Sequence, residues 1–438
     1  MTKTELKKIA CDAIDQNREA ILSLGERIAS EPELGFKEFK TAAKIQAELD
    51  KLGIAHRDGV AITGIVAPIK GRQSKRKLAI MGELDAIIVP NHPAADPETG
   101  AAHCCGHHVQ SSAVIGVAYA LAKTDLMKYL DGDVVLMFVP AEEGVELEYR
   151  SKLKEEGKLS MLGGKPEFIV RGELDSIDIL LMQHTACTEG KNGVTKKVTC
   201  GGKQGSLGVI AKTVRYIGKE AHGAKPYEGI NALNAAELGL MGIHAQRETF
   251  RDEDNIRIHP IITKGGDLVN VVPADVHIET YVRGANNEAI ADASMKVNRA
   301  LQAGAMAVGA TCEITEMPIC MSPYECDPLK DLCYENLRYV FGDEIAARDG
   351  EGCSTEWADV SNLMPSVHMM IGGASGGLHG NDFCITNPDM AFLGAAKTLI
   401  CSAIDLLADE AELADKICEG FTPAITKEEY LRDWCGIR

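Results

Sequence analysis

The sequence has no basic excess: 46 Lys and Arg stand against 64 Asp and Glu, a formal charge of −18 spread along the chain. Nucleic acid and anionic membrane surfaces both call for a basic patch, so neither is expected as the main partner. An anionic substrate, which needs only a locally positive cleft, stays open. No window approaches 18 apolar residues, and no segment is therefore read as membrane-spanning. The N-terminal "MTKTELKKIACDAIDQNREAILSLGERIAS" carries charges throughout and lacks the uninterrupted apolar run of a signal peptide. Fourteen cysteines are scattered without a CxxC pair. They read as reduced thiols, mostly small buried hydrophobes, and the expected location is cytoplasmic. Internal repeats and low-complexity tracts are also absent.

What is present is ordinary for a globular chain: 45% hydrophobic and 25% charged residues over 438 positions, enough for one large domain and a smaller one. Short apolar runs alternate with longer helical patterns, which predicts an α/β fold with a largely parallel sheet. The runs 77–82, 133–139, 178–183 and 366–372 are the expected strands, and 5–28, 36–52, 111–123 and 389–408 the expected helices. The middle reads differently. Residues 206–219 alternate apolar and polar like a half-exposed antiparallel strand. A helix pattern at 230–247, strands at 256–266 and 275–284, a helix at 287–308 and a strand at 311–318 follow. That order suits an α+β sandwich inserted at 204–318, between 1–203 and 319–438 of the larger domain.

The polar groups fall at strand ends, where open α/β sheets collect ligands. "AIMG" runs into Glu83 and Asp85, "LMFVPA" into Glu142 and Glu143, "LLMQ" into His184, and "MMIGGASGGL" leads to His379. The stretch "GAAHCCGHHVQ" adds Cys105, His107 and His108 in a loop before a helix. Each group alone has a bland explanation, a cap, a turn or a solvated face, but that explanation must hold independently at every strand end. A thiolate, imidazoles and carboxylates together suit Zn²⁺, Mn²⁺, Co²⁺ or Ni²⁺. Of two neighbouring glutamates, one can bind metal while the other takes a proton from metal-bound water. A closed structural zinc site would need no such extra glutamate.

These motifs, in order, resemble the M20 family of metallo-aminoacylases and peptidases, in the branch of indole-acetyl-amino-acid hydrolases and p-aminobenzoyl-glutamate hydrolase. "EPELGFKE", "GELDAI", "HCCGHH", "VPAEEG", "GKEAHGAKPYEGINALNAA", "GGDLVNVVPADVHIETYVRG" and "GGLHGNDF" carry the resemblance over nearly the whole chain. It implies a zinc-peptidase-like catalytic domain with an inserted lid that often dimerises, hence a homodimer or higher homo-oligomer. It implies one or two divalent metal ions held by Cys105, His107, Glu143, His184 and His379. Glu142 would be the general base, Asp85 would steer a ligand imidazole, and His222 would hold the oxyanion. Asn270 and Arg283 would contact the substrate, and His108, where this chain departs from the family, is a further candidate contact. The implied reaction is hydrolysis of the amide bond of a small N-acyl amino acid, aryl amide or dipeptide-like molecule. Displacement of an amino group from an activated aromatic ring, and a metal- or ligand-binding relative without turnover, are the alternatives.

Three departures from the family pattern stand out. Where the family has "CGHDGH" this chain has "CGHHVQ", placing His108 and Gln110 where an Asp and a His are usual. "MGELDA" replaces "RADMDA", so that Glu83 stands for an Asp. The connection 148–178 is longer than usual.

Overall fold

The computed structural model describes residues 1–189, 198–201, 206–350 and 354–437. Contacts divide the chain into two compact units, one of Met1–Gln204, Tyr324–Gly352 and Asp359–Arg438, the other of Gly205–Pro323 and Cys353–Ala358.

The first unit is built on a nine-stranded mixed sheet in the order Arg57–Val60, Gly64–Ile69, Asp133–Val139, Lys77–Glu83, Ile179–Glu189, Ser366–Ser375, Val198–Thr199 and Ala346–Ala347, with Cys384–Ile385 paired to Ser366–Ser375. Its centre is parallel: Lys77–Glu83 lies between Asp133–Val139 and Ile179–Glu189, and Ser366–Ser375 continues beside the latter. All seven residues of Asp133–Val139 are buried, as a strand covered on both faces requires. Register then brings the chemistry to one rim. Glu83 pairs with Val139, Met81 with Met182, and Met370 with His184.

Several expected boundaries shift, each for a local reason. The helix expected over 5–28 is two helices, Lys3–Gln16 and Arg18–Ala29; Asn17 leaves helical geometry between them and its side-chain amide donates to Ala13 O at 2.8 Å. The helix expected from 111 begins at His107 and runs to Lys123, with fifteen of its seventeen residues buried. Its first turn is polar and hides the start from an apolar pattern, yet Ser111 Oγ donates to Glu83 O at 2.6 Å. His107 and His108 are thus on a helix and not in a loop. The strand expected over 178–183 extends through His184 to Glu189, because its pairing with Ser366–Ser375 continues that far. Asp389–Leu407 corrects another expectation: among the described residues this stretch is long and apolar enough to cross a membrane by composition. Within the protein 83% of that window is buried in the core, where Leu399, Ile400 and Ile404 pack.

The second unit is a five-stranded antiparallel sheet in the order Arg257–Ile258, Asp275–Gly284, Gly208–Ile217, Thr311–Cys320, with Ile261–Lys264 also on Asp275–Gly284. Helices Ala232–Ala245 and Asn287–Val308 cover it, capped by the side chains of Asn231 and Asn286. The single strand expected over 256–266 is split at Pro260, which has no N–H to give a ladder.

Candidate metal centre

Asp85, fully buried just past the strand Lys77–Glu83, organises the centre. Its Oδ1 lies 3.1 Å and its carbonyl oxygen 2.9 Å from His107 Nδ1. Both are acceptors, so Nδ1 carries a proton and Nε2 is the nitrogen left to face a metal. Asp85 Oδ2 accepts from the backbone N–H of Glu143 at 2.9 Å. One carboxylate therefore orients an imidazole and the segment that carries the paired glutamates.

Gly106 turns the chain between Cys105 and His107. Its φ is +84°, and an added Cβ would stand 2.6 Å from Thr185 Cβ, so both the conformation and the space require glycine here. Ala141 and His379 also have left-handed φ values, +55° and +60°, at residues without glycine's freedom. Such strain persists where the surroundings over-determine it. Around Ala141 that role belongs to the buried Arg150, whose guanidinium donates to the carbonyls of Ala141, Leu162 and Glu143.

The structure brings all five expected ligands together. Cys105 Sγ is 3.3 Å from His184 Nε2 and 3.3 Å from His379 Nε2, and His379 Nε2 is 3.2 Å from Glu143 Oε1. His184 Nδ1 donates to Thr185 O at 2.9 Å, which turns its Nε2 toward the thiol. The donor atoms of Cys105, His107 and His184 lie within 4.8 Å of one another, as do those of Cys105, Glu143 and His379. Cys105 is common to both sets.

These residues fit a divalent cation on two grounds. Donors about 2.0–2.3 Å from one ion stand about 2.8–3.3 Å apart at right angles and about 3.3–3.8 Å apart at tetrahedral angles, and the contacts here are 3.2 and 3.3 Å. The charge balance also asks for a cation. Burial, followed by Glu143, Glu142 and Glu83, pushes the Cys105 thiol well above its ordinary pKa. His107 Nε2 is buried without a well-formed hydrogen bond. A bound ion would supply positive charge there and favour loss of the thiol proton.

Glu142 sits beside this cluster. Its recessed position and the neighbouring Glu83 and Glu143 push its pKa up to about 7, against the opposing charges of Lys165 and His107. A carboxyl poised there exchanges protons readily at neutral pH. His107 is pushed up to about 10, since Glu83 and Asp85 outweigh its burial.

His108 takes another direction. Its ring packs 5.3 Å from His103 and 6.0 Å from Phe392, centroid to centroid, in the wall of a separate cavity of about 310 Å³ that Leu22 and Phe383 also line. Cys104 packs with Ala102, Ala374 and Phe383. On the second unit, His222 pairs with Val271 while Gly223 N donates to Asn270 O at 2.7 Å, so His222 and Asn270 are neighbours, both exposed. Arg283 Nε donates to His259 Nε2 at 3.2 Å.

Sequence reasoning missed Lys165, Arg150 and His368. Lys165 and Arg150 come from the long connection, on helices Gly164–Val170 and Leu147–Glu155. Lys165 forms a fully buried ion pair with Glu83 Oε1, and Gln110 Nε2 donates to Glu83 Oε2 at 2.5 Å. His368 stacks edge-on against His184, centroids 5.6 Å apart.

Comparison with known proteins agrees with this architecture. Residues 79–401 match the model of peptidase family M20/M25/M40. The Xaa-Arg dipeptidase of Mus musculus is 26% identical over 83% of this chain and 79% of its own. The N-acyl-L-amino acid amidohydrolase of Geobacillus stearothermophilus is 24% identical over 65% of this chain and 70% of its own. Among solved structures, the YxeP protein of Bacillus subtilis, a dinuclear metal binding peptidase, superposes with a TM-score of 0.68 at 20% identity, covering 90% of this chain and 99% of that one. With the family match spanning most of its length, this chain belongs to peptidase family M20/M25/M40 and is a metal-dependent amidohydrolase.

Proposed function

We propose that this chain hydrolyses the amide bond of a small N-acyl amino acid or a related aryl amide, with Glu142 as the general base. The observation that carries the reading is Glu142, a glutamate outside the two ligand sets that share Cys105 yet within 4.8 Å of a donor atom of His107. Relatives named for Xaa-Arg dipeptides and N-acyl-L-amino acids support an amide C–N bond as the one broken.

Cys105, His107, Glu143, His184 and His379 would hold the metal, which when bound polarises a carbonyl and acidifies water. The chain's own residues do the rest. Asp85 keeps the proton on His107 Nδ1 and fixes the backbone of Glu143. Arg150 braces the carbonyls on either side of Glu142, so the carboxylate works from a rigid segment. Glu142 takes the proton from the attacking water and returns it to the departing amine nitrogen. His222, Asn270 and Arg283 are proposed to handle the substrate's polar groups. His222→Ala is expected to lower turnover without changing metal content.

Glu142→Gln tests the base directly. Metal content and folding should be unchanged, while hydrolysis of N-acyl amino acids falls by roughly 10²–10⁴-fold. Turnover at the wild-type rate would remove Glu142 from the mechanism.

A further inference from the structure

Glu83 is the point where the departures from the family pattern meet. Its side chain is wholly buried at the end of the strand Lys77–Glu83. Lys165, from the long connection, pairs with one carboxylate oxygen; Gln110, from the helix His107–Lys123, donates to the other. The same Oε2 stands 3.0 Å from His107 Nε2.

That last contact is unusual. The proton of His107 is committed to Asp85 through Nδ1. With one proton on Nδ1, Nε2 and the carboxylate oxygen can stand this close inside a buried site only with positive charge between them. A proton can serve. So can a cation, for which 3.0 Å is the separation of two neighbouring donors. The donor atoms of Glu83, His107 and Glu142 all lie within 4.8 Å of one another. His107 thus belongs to this set and to the set of Cys105 and His184.

We infer that Glu83 is itself a metal-binding residue, adding a carboxylate oxygen to the ion that His107 Nε2 faces, and that Lys165 and Gln110 are the residues that position it. The inference rests on the metal centre described above and extends its ligand set. A carboxylate has room for these partners, since its two oxygens offer about four lone-pair sites. Lys165 offsets the charge that a further buried carboxylate brings among Glu142 and Glu143. An oxygen donor added to a thiolate and imidazole set favours a higher coordination number and a harder ion, such as Mn²⁺ or Co²⁺, over Zn²⁺.

The test is titration of Co²⁺ into the chelator-stripped full chain, read by the d–d absorption bands and the thiolate-to-cobalt charge-transfer band. Glu83→Gln should bind Co²⁺ roughly 10–100-fold more weakly. Its d–d bands should shift and intensify, as expected for fewer ligands, while the charge-transfer band from Cys105 persists. Because Glu83→Gln leaves Lys165 buried without its partner, the double variant Glu83→Gln/Lys165→Met, which removes both charges, should show the same spectrum. Lys165→Met alone should shift the d–d bands, and Lys165→Arg should restore them. Wild-type affinity and d–d bands in the double variant, together with loss of the charge-transfer band in Cys105→Ser, would overturn the role of Glu83 and leave the metal centre standing. Unchanged cobalt binding in Cys105→Ser as well would overturn both.

Discussion

Two buried lysines paired with glutamates, Lys165 in the first unit and Lys212 in the second, do different work. In the second unit Lys212 donates to Ser294 Oγ at 2.6 Å and to Asn298 Oδ1 at 2.8 Å and pairs with Glu316. Glu316 Oε1 in turn accepts from Ser294 and Asn298, and its side chain is 41% exposed. Every partner is satisfied and solvent shares the charge, so the cluster ties the helix Asn287–Val308 to the sheet and needs nothing further. In the first unit Lys165 and Glu83 are both fully buried, and beside them stands an imidazole nitrogen without a well-formed hydrogen bond. The ion pair is the same in both places; the neighbours decide whether it closes a network or leaves one open for a ligand.

Substitutions that treat the pairs alike should therefore give unlike results. The largest loss of stability is expected from Lys165→Met, which strands a buried carboxylate among others and should cost about 3–5 kcal/mol in the metal-free chain by chemical denaturation. The same substitution should disturb metal binding. Gly106→Ala comes next: a methyl group in left-handed geometry against Thr185 should cost about 1–3 kcal/mol and weaken metal binding, because Cys105 and His107 can no longer face one point. Lys212→Met should cost least, about 1–2 kcal/mol, since the carboxylate of Glu316 turns to water. Metal affinity should be untouched. A metal-binding defect in Lys212→Met, or none in Lys165→Met, would break the contrast between the two pairs.

The contrast also marks where the sequence was legible. That Glu143, His184 and His379 share one rim could be read because parallel strands deliver their ends there; the ligand roles expected for them and for Cys105 and His107 came from the family resemblance. The rim position of Asp85 was readable for the same reason. Pro260 announced its own break, though the single strand drawn across it missed the signal. Lys165 was not readable: its partner Glu83 lies 82 positions away, and only the packed helix Gly164–Val170 brings them together. His368 looked like one polar residue in an apolar strand until the register placed it beside His184. The start of the helix at His107 was masked because its first turn spends polar side chains on the metal centre and on Glu83. Local pattern reported which residues could do chemistry; tertiary pairing decided which ones tune it.

The central claim is that the residues around Cys105 hold a divalent ion on which hydrolysis depends. The direct test is hydrolysis of an N-acetyl amino acid by the chelator-treated chain before and after adding Mn²⁺, Co²⁺, Zn²⁺ or Ni²⁺, with Cys105→Ala run in parallel. The account predicts no turnover without metal, recovery with at least one of the four ions, and no recovery in Cys105→Ala. Full hydrolysis by the metal-free protein, or equal recovery in Cys105→Ala, would contradict it.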